Sequence, residues 1–446
     1  MQRAKKLRRA QEVSADEYNA RTLVVDVTAV SGQSMITGVQ RIVREFAESA
    51  GDEAVLVRFH PKSGVFRIVP RVARLRYRTT SGFLGRLRLR LKNFYWSFSS
   101  GFREQGTRRR YIPSPVRNAA RWFYDTFLSD SHLEHEGALQ RKPEWFPQPH
   151  QTFVLLDIPV SPKHVETLVD LAESDDVRFV VYLHDLMPLS HRHLFNRKSH
   201  PGVRARHLRY LDVINAATTV VCNSRYTEAQ YTQFTKLLET KLNQTVRVVY
   251  PPWPAFAQRR DGSSDDVAGA FSNAETRVLA VGALDVRKNM VMLVHALKVM
   301  VERDDDVHVA IVSGVTAAVD PEFSAALLEL SNATRARLTI LQSVSDNRLV
   351  ELYDRCTVVA VPSLAEGFGL PVVEGVSRGR PVVAADATAL PELASLLPIS
   401  LVDPTDATAW ADALIATSRD GLSSDVVRPT EFAADWSDFR ARVLDS

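Results

Sequence analysis

Cysteine is almost absent. Cys222 and Cys356 are the only two in 446 residues. Two such distant cysteines give no disulfide framework, no Cys-rich zinc site and no C-x-x-C pair, so a reducing cytosol is expected. No apolar run reaches the ~18 residues that cross a bilayer, so no transmembrane helix is expected. The first stretch, MQRAKKLRRAQEV, is basic and lacks the apolar segment of a signal peptide. There is no G-x-x-x-x-G-K-[ST] loop, no H-E-x-x-H and no G-x-S-x-G. A G-x-G-x-x-G fingerprint after the first apolar run is also missing, which argues against a dinucleotide dehydrogenase.

The remaining composition is that of a globular protein, 45% hydrophobic and 24% charged. The net charge of +4 is unevenly spread. Residues 71–122 hold fourteen Arg and Lys against one acid, Glu104. A block of that size suits a polyanionic surface, such as an anionic membrane or a nucleic acid, or is simply a solvated insertion.

Short β-branched runs alternate with helical patterns. One series lies at 23–27, 153–156, 178–183, 218–222 and 246–250. A second lies at 277–282, 308–313, 338–341, 357–361 and 381–385. Continuous apolar runs of this length read as buried parallel strands of α/β domains. Between the series, 251–275 is rich in Pro, Ser, Gly and Asp and reads as a linker. The expected organisation is a domain at 1–250 with a basic insertion at 61–150, then the linker, then a domain at 276–425. A C-terminal helix follows within 426–446 and is expected to pack back on the first domain.

Ligands of open parallel sheets bind beyond the carboxyl ends of the strands. Three post-strand segments carry chemistry. In VPSLAEGFGLPVVEGVSRGRP (361–381), Gly367 and Gly369 precede a helix opened by Pro371 and closed before Gly379. Backbone amides there, with the helix dipole, favour an anion. Glu366 and Glu374 flank them, and each carboxylate can accept a pair of sugar hydroxyls; a glycine-rich turn with two solvated glutamates is the plainer reading. VGALDVRKNM (281–290) places Arg287 and Lys288 after a strand, suited to a leaving diphosphate or to a solvated turn. FVVYLHDLMP (179–188) places His184 and Asp185 after another strand, able to act on a hydroxyl or to cap the strand end. Ser224 reads as a helix N-cap. Thr37 and Gln40 read as a capping box, with Gly38 opening the helix start to a bound group. Asp304, Asp305 and Asp306 precede a strand and read as a solvated loop rather than a metal site.

The E-x7-E block EGFGLPVVE, with GALDVRKN upstream and PVVAADATALPELA downstream, resembles the retaining glycosyltransferases of family 4. TGVQRIVREF, LHDLMP and VCNSRYT look similar to the mannosyl- and rhamnosyltransferases of bacterial surface-polysaccharide assembly. The resemblance spans most of 20–60 and 150–446; 61–150 match nothing. It implies a GT-B fold, two Rossmann-like α/β domains facing across a cleft. By resemblance, Glu366 would hold donor-sugar hydroxyls and Glu374 the nucleotide ribose. The amides around Phe368, Gly369 and Leu370 would hold the diphosphate, with Lys288 and Arg287 neutralising it. Gly367 and Gly282 would line the donor site. His184 would lie near the transferred sugar, with Gly38 and Asp185 on the acceptor side. Many members carry Arg where this chain has Ala283, so by resemblance Lys288 would carry more of the cationic charge.

The resemblance further implies a nucleoside-diphosphate sugar as donor and no cofactor or metal. The acceptor would be a glycan or lipid-linked glycan, and no nucleic acid is expected. Residues 71–122 would then bind the inner face of the cell membrane peripherally. A non-catalytic polyanion or RNA binder on this scaffold, or an epimerase or phosphorylase, remain the rival readings.

Overall fold

The structure is a computed structural model. It describes residues 21–30, 38–69, 142–174, 177–195, 202–238, 244–253, 270–271, 273–314, 320–342, 344–421 and 427–445. The basic block at 71–122, Thr37 and most of the linker lie outside the described residues.

The chain builds two sheets. The first runs through β1 (Leu23–Asp26), α1 (Gly38–Ala50), β2 (Ala54–His60), β3 (Val65–Ile68), β4 (Thr152–Leu155), α2 (Pro162–Glu173) and β5 (Arg178–Leu183). It continues through α3 (Met187–Ser190), α4 (Val203–Ala216), β6 (Thr219–Cys222), α5 (Arg225–Leu237) and β7 (Thr245–Val248). Its strand order is β3-β2-β1-β4-β5-β6-β7. All neighbours are parallel except the β2–β3 pair.

The second lobe follows with β8 (Thr276–Val281), α6 (Met290–Glu302), β9 (Val307–Ser313), α7 (Pro321–Leu328), α8 (Asn332–Ala336) and β10 (Leu338–Gln342). Then come α9 (Asp346–Arg355), β11 (Val358–Val361), α10 (Leu370–Ser377), β12 (Val382–Ala385), α11 (Leu390–Ala394), β13 (Ile399–Val402) and α12 (Ala407–Asp420). The order is β10-β9-β8-β11-β12-β13, all parallel.

The ten apolar runs all become strands, displaced by at most a residue or two. Three more strands form. β2 and the antiparallel β3 extend the first sheet, and β13 closes the second. β3 lies inside the stretch expected to be an insertion, and Arg67 bridges Glu144 at its far end. The ends of that insertion therefore belong to the first sheet.

Burial explains the pattern. Val24, Val55, Phe153, Phe179 and Val181 are fully buried on one face of the first sheet. Val25, Phe46, Val154, Val180 and Tyr182 fill the other. That alternation is what helices on both faces of a parallel sheet require. The last helix, α13 (Trp436–Leu444), returns to the first lobe. Its Phe439 meets Phe46 of α1 edge to face, with ring centres 6.2 Å apart. Arg178 donates to Leu444 O and Arg247 to Val443 O, both at 2.8 Å. Asp304 takes a left-handed φ of 62° in its turn, and Asp306 accepts from Arg337 at the surface.

Each sheet has one point where its strand order reverses, β1 against β4 and β8 against β11. Crevices open at such points. The loops after β8 and β11, which carry Lys288 and Glu366 78 residues apart, are therefore neighbours.

Candidate active site

The β8–β11 crevice collects the charged residues. After β8 a single 3-10 turn, Val286–Lys288, is capped by Asp285, whose carboxylate accepts the Lys288 amide at 3.0 Å. Asn289 follows in the left-handed region at φ 51°, and its side-chain amide donates to Pro362 O at 3.1 Å and Pro404 O at 3.0 Å. Asn and Asp tolerate this backbone better than other side chains. Asn289 thus ties three post-strand loops together. Nothing in the sequence marks it beyond its place beside Lys288.

Glu366 is buried, at 6% exposure, and meets two cations and a hydroxyl. It accepts from Lys288 Nζ and from Ser363 Oγ at 2.7 Å. Arg287 Nη1 stands 3.6 Å away. Burial alone would raise the Glu366 pKa. The charges of Lys288 and Arg287 and the hydrogen bonds from Lys288 and Ser363 outweigh it, so the group is held below its ordinary value. Arg287 is pushed up: burial opposes its charge, but Glu366, Asp285 and Asp185 more than compensate. The result is a buried anion clasped by two cations. A Cβ on Gly282 would approach Lys288 Cδ to 3.3 Å and Met290 Cε to 2.9 Å, so its bare backbone makes room for the lysine stem.

The loop from Glu366 to α10 meets the first lobe directly. A Cβ on Gly367 would stand 2.1 Å from His184 O and 3.0 Å from Asp185 Cβ. Its own carbonyl accepts from Ser224 Oγ at 2.6 Å and Thr227 Oγ1 at 3.2 Å. Ser224 also caps α5, as its sequence suggests, by accepting the Thr227 amide at 3.0 Å. Gly369 holds φ 107°, which only glycine adopts without strain, and opens α10. Phe368 packs its ring against Tyr250 and Phe432. Among the described residues the Phe368 and Gly369 amides have no protein acceptor. Opposite, Gly38 opens α1, and a Cβ there would meet Leu370 Cδ1 at 2.9 Å. The first residue of α1 therefore packs against the first residue of α10, whose own helix start favours an anion.

Glu374 is 4% exposed. It accepts from Tyr353 Oη at 2.7 Å and from Arg41 Nη1, on the first lobe, at 2.8 Å. Burial, helped by the Glu374 charge, pushes the Tyr353 hydroxyl well above its ordinary range, so it stays a donor. His184 is buried and donates Nε2–H to Leu156 O at 2.8 Å, the tautomer that this carbonyl requires. Burial lowers its pKa despite that bond and Asp185, so the ring is neutral. Asp185 accepts the amide of Met187, the first residue of α3, at 3.1 Å.

The structure thus brings Glu366, Lys288, Arg287 and Gly282 together, sets Gly367 against His184 and Asp185 and Leu370 against Gly38, and packs Gly369 on Leu390 and Leu393 of its own lobe. Sequence reasoning missed Arg41, Ser363, Tyr353 and Asn289. It also missed Glu392, which accepts the Arg225 and Tyr226 amides of the first lobe at 2.8 and 3.0 Å and the Tyr250 hydroxyl at 2.5 Å. Ser363, three residues before Glu366, is the one that spacing would have suggested. Among the described residues no cluster of three His, Cys, Asp or Glu could hold a metal ion, and no helix is long and apolar enough to cross a membrane.

Residues 275–420 match the family described as glycosyl transferases group 1. Curated relatives are similar over parts of the chain. The serotype-specific mannosyltransferase WbdA of Escherichia coli is 23% identical over 220 residues, 48% of this chain and 26% of the relative. The D-inositol 3-phosphate glycosyltransferase of Nocardia farcinica is 33% identical over 201 residues, 42% of this chain and 44% of the relative. The chain thus spans under half the length of either. Among solved structures, the sucrose-phosphate synthase of Thermosynechococcus elongatus superposes with a TM-score of 0.54 at 16% identity, covering 95% of this chain and 94% of that one. Anabaena Alr3699/HepE, in complex with UDP and glucose, gives 0.50 at 17%, covering 95% of each. The two-lobed architecture is the GT-B fold.

Proposed function

We propose that this chain, whose second lobe is a group 1 glycosyltransferase domain, moves a hexosyl group from a nucleoside-diphosphate sugar to a hydroxyl of a glycan or lipid-linked glycan. The single observation that carries the reading is the clasp of Lys288 and Arg287 on Glu366, in the loop that opens α10. The amides of 368–370 and the two cations take the diphosphate. Glu366 accepts from sugar hydroxyls, and Glu374 from the ribose. The acceptor hydroxyl attacks C1 on the face from which the diphosphate departs. The C1–O bond to phosphate breaks, the new C1–O bond forms, and the proton passes to the departing phosphate oxygen. Configuration is retained. Fixed cations and amides aimed at that developing charge serve where other transferases use a metal. His184, whose Nε2–H is committed to Leu156 O, would lie near the transferred sugar and the acceptor hydroxyl.

Two relatives are named as mannosyltransferases, WbdA and an MMP alpha-(1->4)-mannosyltransferase of Mycolicibacterium hassiacum, which favours mannose as the sugar. The protein would work at the inner face of the cell membrane, with residues 71–122 reaching the anionic leaflet; each cation there contributes about 1 kcal/mol. The buried acid–base constellation favours an enzyme over a passive polyanion binder. The deciding experiment incubates the protein with GDP-, UDP- and dTDP-sugars and extracted glycolipid, with and without EDTA. Acceptor-dependent release of nucleoside diphosphate, unaffected by EDTA and giving product of the donor's anomeric form, is expected. Release without acceptor, or none with any donor, would refute the assignment.

A further inference from the structure

The glutamate of the clasp is held by its backbone as well as by its side chain. Along its loop, Pro362 O accepts from Asn289 Nδ2 and the Leu364 amide donates to Arg287 O at 2.8 Å. Ala365 O accepts from Arg287 Nη1 at 3.3 Å, and Gly367 O accepts from Ser224 Oγ. The Glu366 amide itself donates to Thr388 Oγ1 at 2.9 Å. Thr388 lies after β12, so a further post-strand segment reaches the clasp through one hydroxyl.

The backbone of Thr388 is strained. Its φ is 52°, and the other non-glycine residues at positive φ among those described are Asn289 and Asp304. Asn and Asp tolerate that region. A β-branched residue does not, because its Cβ crowds the following carbonyl oxygen and carries two further heavy atoms. The Leu390 amide donates to Ala387 O at 3.1 Å, closing a turn with Thr388 and Ala389 at its centre. Ala389 sits at φ −82°, ψ −9°. A positive φ followed by those angles marks the type II′ form, whose first central position ordinarily takes glycine. Glycine there would relieve the strain, but it has no hydroxyl for the Glu366 amide. The strain is thus kept at the one position of this turn from which a side chain reaches Glu366.

The turn is also fixed at its far end. It leads straight into α11, whose Leu390 and Leu393 are buried and would meet a Cβ on Gly369 at 2.7 and 3.2 Å. Glu392 of the same helix accepts the Arg225 and Tyr226 amides of the first lobe. The Thr388 hydroxyl therefore projects from a braced support, and the Glu366 backbone cannot shift without breaking its bond to that support. Reacting groups misplaced by about 1 Å can lose about 10²-fold in rate. We infer that Thr388 is a positioning residue for Glu366: its strained turn sets the backbone at the depth from which the carboxylate meets the transferred sugar. The inference rests on the transferase reading and deepens it.

The test compares three variants of the full chain, with GDP-mannose, UDP-glucose and dTDP-rhamnose as donors and extracted glycolipid as acceptor. Thr388→Val keeps the shape and loses the hydroxyl, so kcat should fall at least about tenfold. Its affinity for GDP and UDP, by isothermal titration, should stay within about twofold, because a nucleoside diphosphate lacks the sugar that Glu366 would meet. Thr388→Gly removes strain and hydroxyl together, so it should melt near the wild-type temperature and yet be as slow as the Val variant. Thr388→Ser returns the hydroxyl and should recover most of kcat. Hydrogen exchange at the Glu366 amide should quicken in the Val and Gly variants and not in the Ser variant. Wild-type turnover by the Gly variant, a Ser variant as slow as Val, or turnover that follows melting temperature across the three would each overturn the inference. If the wild type turns over none of the three donors, the transferase reading falls first and takes this inference with it.

Discussion

Arg41 Nη1, on the first lobe, lies 2.8 Å from Glu374 Oε1, on the second. The two residues are 333 apart in sequence, and both side chains are mostly withdrawn from water. The carboxylate proposed to receive the ribose is therefore already paired with a cation across the cleft. A nucleoside reaching Glu374 must compete with Arg41. Arg41→Gln should accordingly tighten nucleoside-diphosphate binding by about two- to tenfold, an arginine–carboxylate contact being worth about 1 kcal/mol or somewhat more in such a setting. Isothermal titration checks it, and unchanged or weaker binding would show that Arg41 does not compete.

Glu366 neutralises two buried cations, so removing its charge has a structural cost as well as a chemical one. Breaking one partner of a buried pair typically costs about 3–5 kcal/mol. Glu366→Gln should lower the melting temperature clearly, and adding Lys288→Gln should recover part of the loss. The recovery, measured as a double-mutant cycle by urea unfolding, reports their coupling. Turnover should stay low in both variants.

The same carboxyl has a pH signature. Its folded pKa lies below the ordinary 4.5, because Lys288, Arg287 and Ser363 overcome burial. A depressed acid adds stability that is fully present above its unfolded pKa and is lost as pH falls through the folded value. Unfolding free energy should therefore drop below about pH 4.5, and the drop should flatten in Glu366→Gln. Equal acid sensitivity of the two proteins would count against the clasp.

Asp157 behaves in the opposite sense. Burial, then Asp26 and Asp185, push it up from 3.8 to about 6, against the Ile158 amide and Arg206. A raised acid binds its proton more readily folded than unfolded, so its ionisation destabilises the protein as pH rises from about 4 to 6. Asp157→Asn keeps an oxygen for the Ile158 amide, which now donates at 2.6 Å. The variant should be more stable than wild type at pH 7, by about 2 kcal/mol after allowing for partial exposure, and equal to it below pH 4. Melting curves at the two pH values decide.

Gly367 is the tightest point between the lobes. With 2.1 Å from a notional Cβ to the backbone oxygen of His184, Gly367→Ala forces a backbone shift. Gly38→Ala meets only the flexible end of Leu370. The first should abolish transfer and raise hydrogen exchange at Thr227 and in 366–370; the second should leave exchange there unchanged.

Much of this was legible in the residues themselves. Runs such as FVVYL and VVAV are buried on both faces and could hardly be anything but central strands. β3 and β13 were not legible, because edge strands are half exposed: VFRI carries Arg67, and ISLV carries Ser400. Lys288, Arg287 and Glu366 could be nominated separately, since post-strand loops are where chemistry gathers. That they share one clasp follows from β8 pairing with β11, which is a matter of topology. Arg41 and Glu392 were invisible for the same reason. They are ordinary helical residues until the lobes meet.

Glu392 has one further consequence. It belongs to the second lobe, yet it supplements the Ser224 cap at the start of α5 in the first, accepting the Arg225 and Tyr226 amides. The hinge and the helix are thereby one system. Parting the lobes would take the acceptor from the first two amides of α5 and leave Ser224 as the remaining cap, so those two amides should exchange faster whenever the cleft opens.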